Sequence, residues 1–208
     1  MTENNEFWEQ QMDLLAQQEF VIIDDFFTNK ELLSVHSFFQ QKEDENAFKK
    51  AAIGVSGKEK IIGEIRGDYT YWLDKERDQE QLPIYSTLDL IKKRLNESLF
   101  LSLSDYEFHL AHYPAGSFYK KHLDQFNRHS NRMISMIIYL NKEWTPVDGG
   151  ELCVYPKDSS PIAIEPIENR CVLFRSDTLF HEVLKAHKSR KSLTGWMLYQ
   201  PTTLSFLG

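Results

Sequence analysis

His122 and Asp124 stand two residues apart, and His181 follows later in the segment DTLFHEV. In an extended strand residues i and i+2 share a face, so this imidazole and this carboxylate are expected to point together into the fold. Two histidines and one carboxylate on one face of a metal leave up to three coordination positions open. Such a set suits Fe(II) that must bind an organic molecule and O₂ at the same time. His-x-Asp alone recurs by chance, so the weight lies in the residues downstream of His181. Arg190 comes next, in RKSLTGWMLY, and in a strand it shares a face with Ser192, Thr194 and Trp196. An arginine on an inward face is costly unless a carboxylate meets it, and its planar fork suits the distal carboxylate of a dicarboxylate cosubstrate. On spacing alone the same arginine reads equally well as a solvated charge in the KSRK cluster. The other histidines, His36, His109, His112, His129 and His187, read as ordinary surface or core residues.

The elements that must position these groups can be read along the chain. Residues 6–18 carry a loose apolar stripe and are expected to be helical, and 19–27 read as a short buried strand. Thr28 followed by Glu31 makes a capping box for a helix over LLSVHSFFQQ, which the charged stretch 41–50 should close. The glycine-punctuated stretch 51–68 reads as two strands joined by a mobile loop, 69–74 as a strand end, and KERDQEQLP as a solvated connection. Apolar residues at 84, 88, 91, 95 and 99 predict an amphipathic helix over 84–100. From 106 onward eight short β-like runs come at close intervals, among them FYKKHLD, MISMIIYLN, GELCVYP and LTGWMLYQP. Helices first and strands after, with no βαβ rhythm, argue a mainly β fold with flanking helices, an α+β sandwich or barrel. Length and the lack of a linker point to a single domain over 1–208, with helical support over about 1–100 and a β core over about 101–202.

Composition excludes several classes. The 208 residues are 41% apolar and 26% charged, ordinary for a globular protein, while 13% aromatic favours a β-rich core or an aromatic-lined pocket. A net charge of -7 argues against a nucleic-acid binder. Apolar runs are too short to span a membrane, and MTENNEFWEQ lacks the build of a signal peptide, so a cytoplasmic location is expected. Cys153 and Cys171 lack Cys-x-x-Cys spacing and read as packing residues without a disulfide.

Several ordered motifs resemble the 2-oxoglutarate/Fe(II)-dependent oxygenases, in particular the prolyl 4-hydroxylase branch with its oxygen-sensing members and their bacterial counterparts. They are YPAGSFYKKHLD, MISMIIYLNKEW, GGELCVYP, HEV at 181–183 leading to Arg190 and Trp196, and upstream IRGD at 65–68 followed by Trp72. The resemblance covers about residues 60–200. It implies a double-stranded β-helix (jelly roll) and a dioxygenase using Fe(II), 2-oxoglutarate and O₂, with ascorbate as a reductant. His122, Asp124 and His181 would hold iron. Arg190, helped by Tyr139, would pair with the distal carboxylate of 2-oxoglutarate, and Tyr113 would donate near its metal-binding end. Ile137, Thr194 and Trp196 would line the pocket. Arg66 and Asp68 match a segment that closes a lid over 53–65, with Arg132 bracing it through Asp68, and Tyr119 would meet the target proline at the mouth.

The implied function is hydroxylation of a prolyl residue in a protein partner, such as a translation factor, by a monomeric enzyme. The same chemistry on a free amino acid or other small molecule is the alternative. A non-catalytic metal-binding module would lack an iron ligand or the cosubstrate arginine, and neither is missing.

Overall fold

The computed structural model describes residues 5–51, 67–125 and 131–199. Helix α1 (Asn5–Gln18) leads into strand β1 (Phe20–Ile23), then helix α2 (Asn29–Asp44). The capping box forms as expected: Glu31 N donates to the Thr28 hydroxyl, and Thr28 N donates to the Glu31 carboxylate at 2.9 Å. The charged stretch after it ends the helix at Asp44 and then supplies β2 (Lys49–Lys50), which pairs with β3 (Tyr69–Trp72). The loop expected over 53–65, together with Arg66, lies outside the described residues.

Helix α3 (Leu82–Leu99) starts with a proline at its first turn, where no N–H is needed, and closes on Phe100 in the left-handed region. Its apolar stripe is buried as the spacing demanded: Ile84, Leu88, Ile91 and Leu95 are fully covered. Each contributes roughly 1.5–3 kcal/mol of burial. The connection before it departs from the solvated reading. Asp78 is buried, accepting hydrogen bonds from the Tyr71 hydroxyl, the Arg77 guanidinium and Asp74 N, so its charge is fully met.

Each of the eight β-like runs is a strand. These are β4 (Leu103–Tyr113), β5 (Tyr119–His122), β6 (Arg132–Tyr139), β7 (Leu152–Tyr155), β8 (Ile162–Ile164), β9 (Cys171–Arg175), β10 (Phe180–Val183) and β11 (Arg190–Tyr199). They make two antiparallel sheets. The larger has the order β1-β9-β6-β11-β4-β3-β2 and the smaller β5-β10-β7-β8. Four strands of each set face one another as the jelly roll, and β1, β2 and β3 extend the larger sheet.

Strand alternation gives the larger sheet two buried faces. One packs under α1, α2 and α3 through Leu110, Ile134, Met136, Ile138, Leu173 and Leu193. The other faces the smaller sheet through Ala111, Tyr113, Ile137, Tyr139, Val172 and Phe174, meeting Leu152, Val154 and Val183. A charged clamp fastens α2 to the sheet. Glu43 pairs with Lys191 and lies 3.3 Å from His112 Nδ1, while His112 Nε2 lies 2.8 Å from the Ser189 hydroxyl. Both cysteines are buried and free. Among the described residues no helix is long and apolar enough to cross a membrane.

Candidate metal and cosubstrate site

The register of the smaller sheet sets His181 of β10 directly opposite His122 of β5. The ligand atoms of His122, Asp124 and His181 all lie within 4.8 Å of one another, and all three residues are buried. His122 Nε2 is 3.4 Å from Asp124 Oδ1, and His181 Nε2 is 3.6 Å from Oδ2. Each imidazole is fixed from behind. His122 Nδ1 sits 2.8 Å from Lys120 O, and His181 Nδ1 3.2 Å from Leu179 O. A carbonyl at Nδ1 holds the proton there and leaves the Nε2 lone pair for a metal. Burial lowers the His181 pKa to about 4, against the pull of Asp124, so the ring is neutral at ordinary pH. Burial alone would raise the Asp124 carboxyl, but the facing histidines and a hydrogen bond from Ser135 hold it below the usual carboxylate range. A neutral His181 nitrogen beside an ionised oxygen fits a divalent transition metal.

Asp124 is not on a strand. β5 ends at His122, and Asp124 lies in the bend beyond it, so the i, i+2 argument does not apply to it. Its carboxylate is placed instead by a hydroxyl from the opposite sheet. Ser135 Oγ donates to Asp124 Oδ2 at 2.5 Å and lies 2.8 Å from Ser176 Oγ.

Arg190 is the largest fully buried side chain of the described residues. Among these residues no carboxylate pairs with it, and its Nε and Nη2 have no hydrogen-bond partner. Strand pairing sets it between two tyrosines. Arg190 lies opposite Tyr113 on β4, and the neighbouring Ser192 lies opposite Tyr139 on β6. The guanidinium carbon is 5.0 Å from the Tyr113 ring centre and 4.9 Å from that of Tyr139. Burial raises the Tyr139 hydroxyl, opposed by the Arg190 charge beside it, and that hydroxyl makes no well-formed hydrogen bond. The surface-charge reading of Arg190 is thereby excluded. Gly150, at φ 71°, is what lets the chain pass here: a Cβ would stand 3.2 Å from Arg190 Cδ and 3.0 Å from Ala186 Cβ.

Continuing along the same face, Ser192 Oγ and Thr194 Oγ1 are 2.9 Å apart, and Thr194 pairs in register with Ile137 and His109. Trp196 closes the row inside an aromatic stack. Its ring centre is 5.5 Å from His109 and 6.1 Å from Trp72, and the Arg132 guanidinium lies 3.5 Å above it. His109 is a buried core residue, as expected, packed between Trp72 and Trp196. Arg132 pairs with Glu107 at 2.7 Å, not with Asp68 as expected, because strand pairing puts Arg132 and Glu107 two strands apart on one face. Asp68 is buried, and the Gly67–Asp68 backbone is tied to the run into β5. Gly67 N donates to Phe118 O and the Ser117 hydroxyl to Gly67 O. Tyr119 stacks on His122, ring centres 3.7 Å apart.

Comparison with known proteins meets this geometry. The family model of the 2OG-Fe(II) oxygenase superfamily matches residues 108–198. A Pseudomonas putida prolyl-4-hydroxylase is 31% identical, covering 93% of this chain and 100% of its own, with a TM-score of 0.85. A Trichoplax adhaerens prolyl hydroxylase, solved in complex with a hypoxia inducible factor oxygen degradation domain peptide fragment, is 26% identical. It covers 95% of this chain and 94% of its own, at TM-score 0.84. A prolyl 4-hydroxylase from Phytophthora capsici, 23% identical, shares the fold at TM-score 0.73 over 97% of this chain and 68% of its own. A facial His-Asp-His set inside a jelly roll, a buried guanidinium behind it, and these likenesses converge. The chain belongs to the 2-oxoglutarate/Fe(II)-dependent oxygenase superfamily, in its prolyl hydroxylase branch, and is a dioxygenase that uses Fe(II), 2-oxoglutarate and O₂.

Proposed function

We propose that this dioxygenase hydroxylates a prolyl residue of a protein substrate, with His122, Asp124 and His181 on the iron and Arg190 on the distal carboxylate of 2-oxoglutarate. The observation that carries the site assignment is Arg190: a fully buried cation with two unpaired nitrogens calls for a dicarboxylate. Tyr139 adds a hydroxyl beside it, and Tyr113 packs on its other side. In this reading Ile137 and Thr194, paired in register, and Trp196 farther along the same strand line the pocket. Bound together, iron and 2-oxoglutarate would supply the oxidation with O₂ as oxidant: one oxygen atom would enter succinate as 2-oxoglutarate loses CO₂, and the other would turn a C–H into C–OH. The protein's own task is to place that C–H and keep water out, so no side chain is needed as acid or base.

The prolyl substrate rests on the two likenesses above 25% identity, both named prolyl hydroxylases, one of them holding a peptide. The Tyr119 stack on His122 and the half-exposed Trp72 offer aromatic surface at the mouth for a ring such as proline's. In this reading Arg66 and Asp68 belong to the segment that closes the preceding stretch 53–65 over the substrate. Arg132, held by Glu107, borders the mouth through Trp196. The reading extends to a single-domain monomer acting in the cytoplasm on a folded partner such as a translation factor, with ascorbate as reductant. It is tested by incubating the enzyme with Fe(II), 2-oxoglutarate and a cell lysate. Succinate release should accompany one added oxygen on a proline of one protein, located by mass spectrometry. Turnover that leaves every protein proline unmodified but oxidises a small molecule would replace the substrate proposal and keep the site.

A further inference from the structure

Asp124 is the only one of the three ligands without a strand to hold it, yet it sets how many metal positions stay open. A carboxylate can bind a metal through one oxygen or through both. With both oxygens on the metal, a fourth position is filled. 2-Oxoglutarate takes two positions and O₂ needs another, so a two-toothed Asp124 would leave no place for O₂.

The opposite sheet supplies what prevents this. Ser135 is buried mid-strand in β6, and its hydroxyl reaches Asp124 Oδ2 at 2.5 Å. Ser176 is fully buried just past the end of β9, and its hydroxyl lies 2.8 Å from that of Ser135. Ser176 also grips the same ligand through the backbone: its carbonyl accepts from Gln125 N, next to Asp124, at 3.1 Å, and its own N donates to Met133 O at 3.1 Å. Two serines, one on β6 and one just past the end of the adjacent β9, thus hold both the carboxylate and the chain beside it.

We propose that Ser135, oriented by Ser176, is a positioning residue that keeps Asp124 a one-oxygen ligand by engaging Oδ2, and so keeps one metal position open for O₂. Both hydroxyls are spent in this arrangement. If Ser135 donates to the carboxylate, its oxygen can accept from Ser176, so one serine orients the other. The hydrogen bond is charge-assisted and in a dry environment, where such bonds are strongest.

The inference rests on the iron-site assignment but not on the substrate, and Mn(II) alone reads it. The test counts exchangeable water ligands on Mn(II) bound to the whole protein, by paramagnetic resonance in isotopically labelled water, without 2-oxoglutarate. Ser135→Ala should carry one water fewer than the wild type, and turnover of the iron-loaded enzyme should fall about 10–100-fold, the usual effect of losing a group behind a metal ligand. Ser135→Thr, which keeps the hydroxyl, should restore the wild-type count. Ser176→Ala should shift the count in the same direction, and it serves as the readout if Ser135→Ala does not fold. A wild-type water count in both alanine variants overturns the inference, whatever their melting temperatures or turnover. A protein that binds no Mn(II) overturns it together with the site assignment, while failure to modify proline leaves it untouched.

Discussion

His122 and His181 are direct cross-strand partners in the smaller sheet, their rings 4.3 Å apart and their Nδ1 atoms each turned to a backbone carbonyl two residues upstream. The pairing makes the two imidazoles one unit: β5 cannot shift against β10 without separating them. Replacing either by alanine should therefore abolish stoichiometric Fe(II) binding, not merely weaken it. Metal analysis of the purified variants, with circular dichroism showing a retained fold, checks this. Stoichiometric iron in His181→Ala would refute it.

Arg190 faces two tyrosines and no carboxylate among the described residues. Arg190→Ala should raise the 2-oxoglutarate dissociation constant by about 100-fold or more, since a charge-assisted bond contributes on the order of 1.5–3 kcal/mol and the fork makes two. Arg190→Lys should recover little, because an ammonium cannot reproduce the fork. Calorimetric titration of the Mn(II) protein measures both, and wild-type affinity in Arg190→Ala would move the cosubstrate elsewhere.

Gly150 combines a positive φ with a tight approach to Arg190 and Ala186. Gly150→Ala should cost about 1–3 kcal/mol of stability from backbone strain and raise the KM for 2-oxoglutarate through the displaced guanidinium. Denaturant melts and steady-state kinetics separate the two effects. An unchanged KM would mean that the arginine can yield without consequence.

His112 sits in the clamp between α2 and the larger sheet. Burial lowers its pKa below 6.5, with Lys191 acting in the same direction and Glu43 opposing. The folded chain thus resists a proton that the unfolded chain accepts, so stability is fully present above about 6.5 and declines as pH falls through that value toward the folded pKa. His112→Asn should flatten part of this acid-side decline, read as melting temperature against pH. An identical pH profile in the variant would assign the decline to other groups.

Much of the fold was legible because its signals are local. The Thr28–Glu31 cap, the stripe from Ile84 to Leu95 and the eight short runs after residue 106 each declare themselves within a few residues. The iron ligands were legible through spacing and motif together. What stayed hidden depends on partners far along the chain. Ser135 looks like a tolerated hydroxyl in the apolar run MISMIIYL until Asp124 is brought against it. Arg132 could be paired with Asp68 on paper because nothing local shows Glu107 two strands away. Asp78 reads as solvated until Tyr71, Arg77 and Asp74 are seen to surround it. A bend, not a strand, carries Asp124, since β5 runs out two residues early.

The unmatched charge of Arg190 has a consequence for the enzyme's abundance. A dianion that meets it binds the folded chain and not the unfolded one, so it displaces the folding equilibrium by mass action. At a hundredfold excess over the dissociation constant this adds about 2.7 kcal/mol. With Arg190 on the cosubstrate as proposed, a side chain placed for chemistry would couple the lifetime of the protein to the supply of 2-oxoglutarate, and a cell short of it would hold less of the enzyme as well as a slower one.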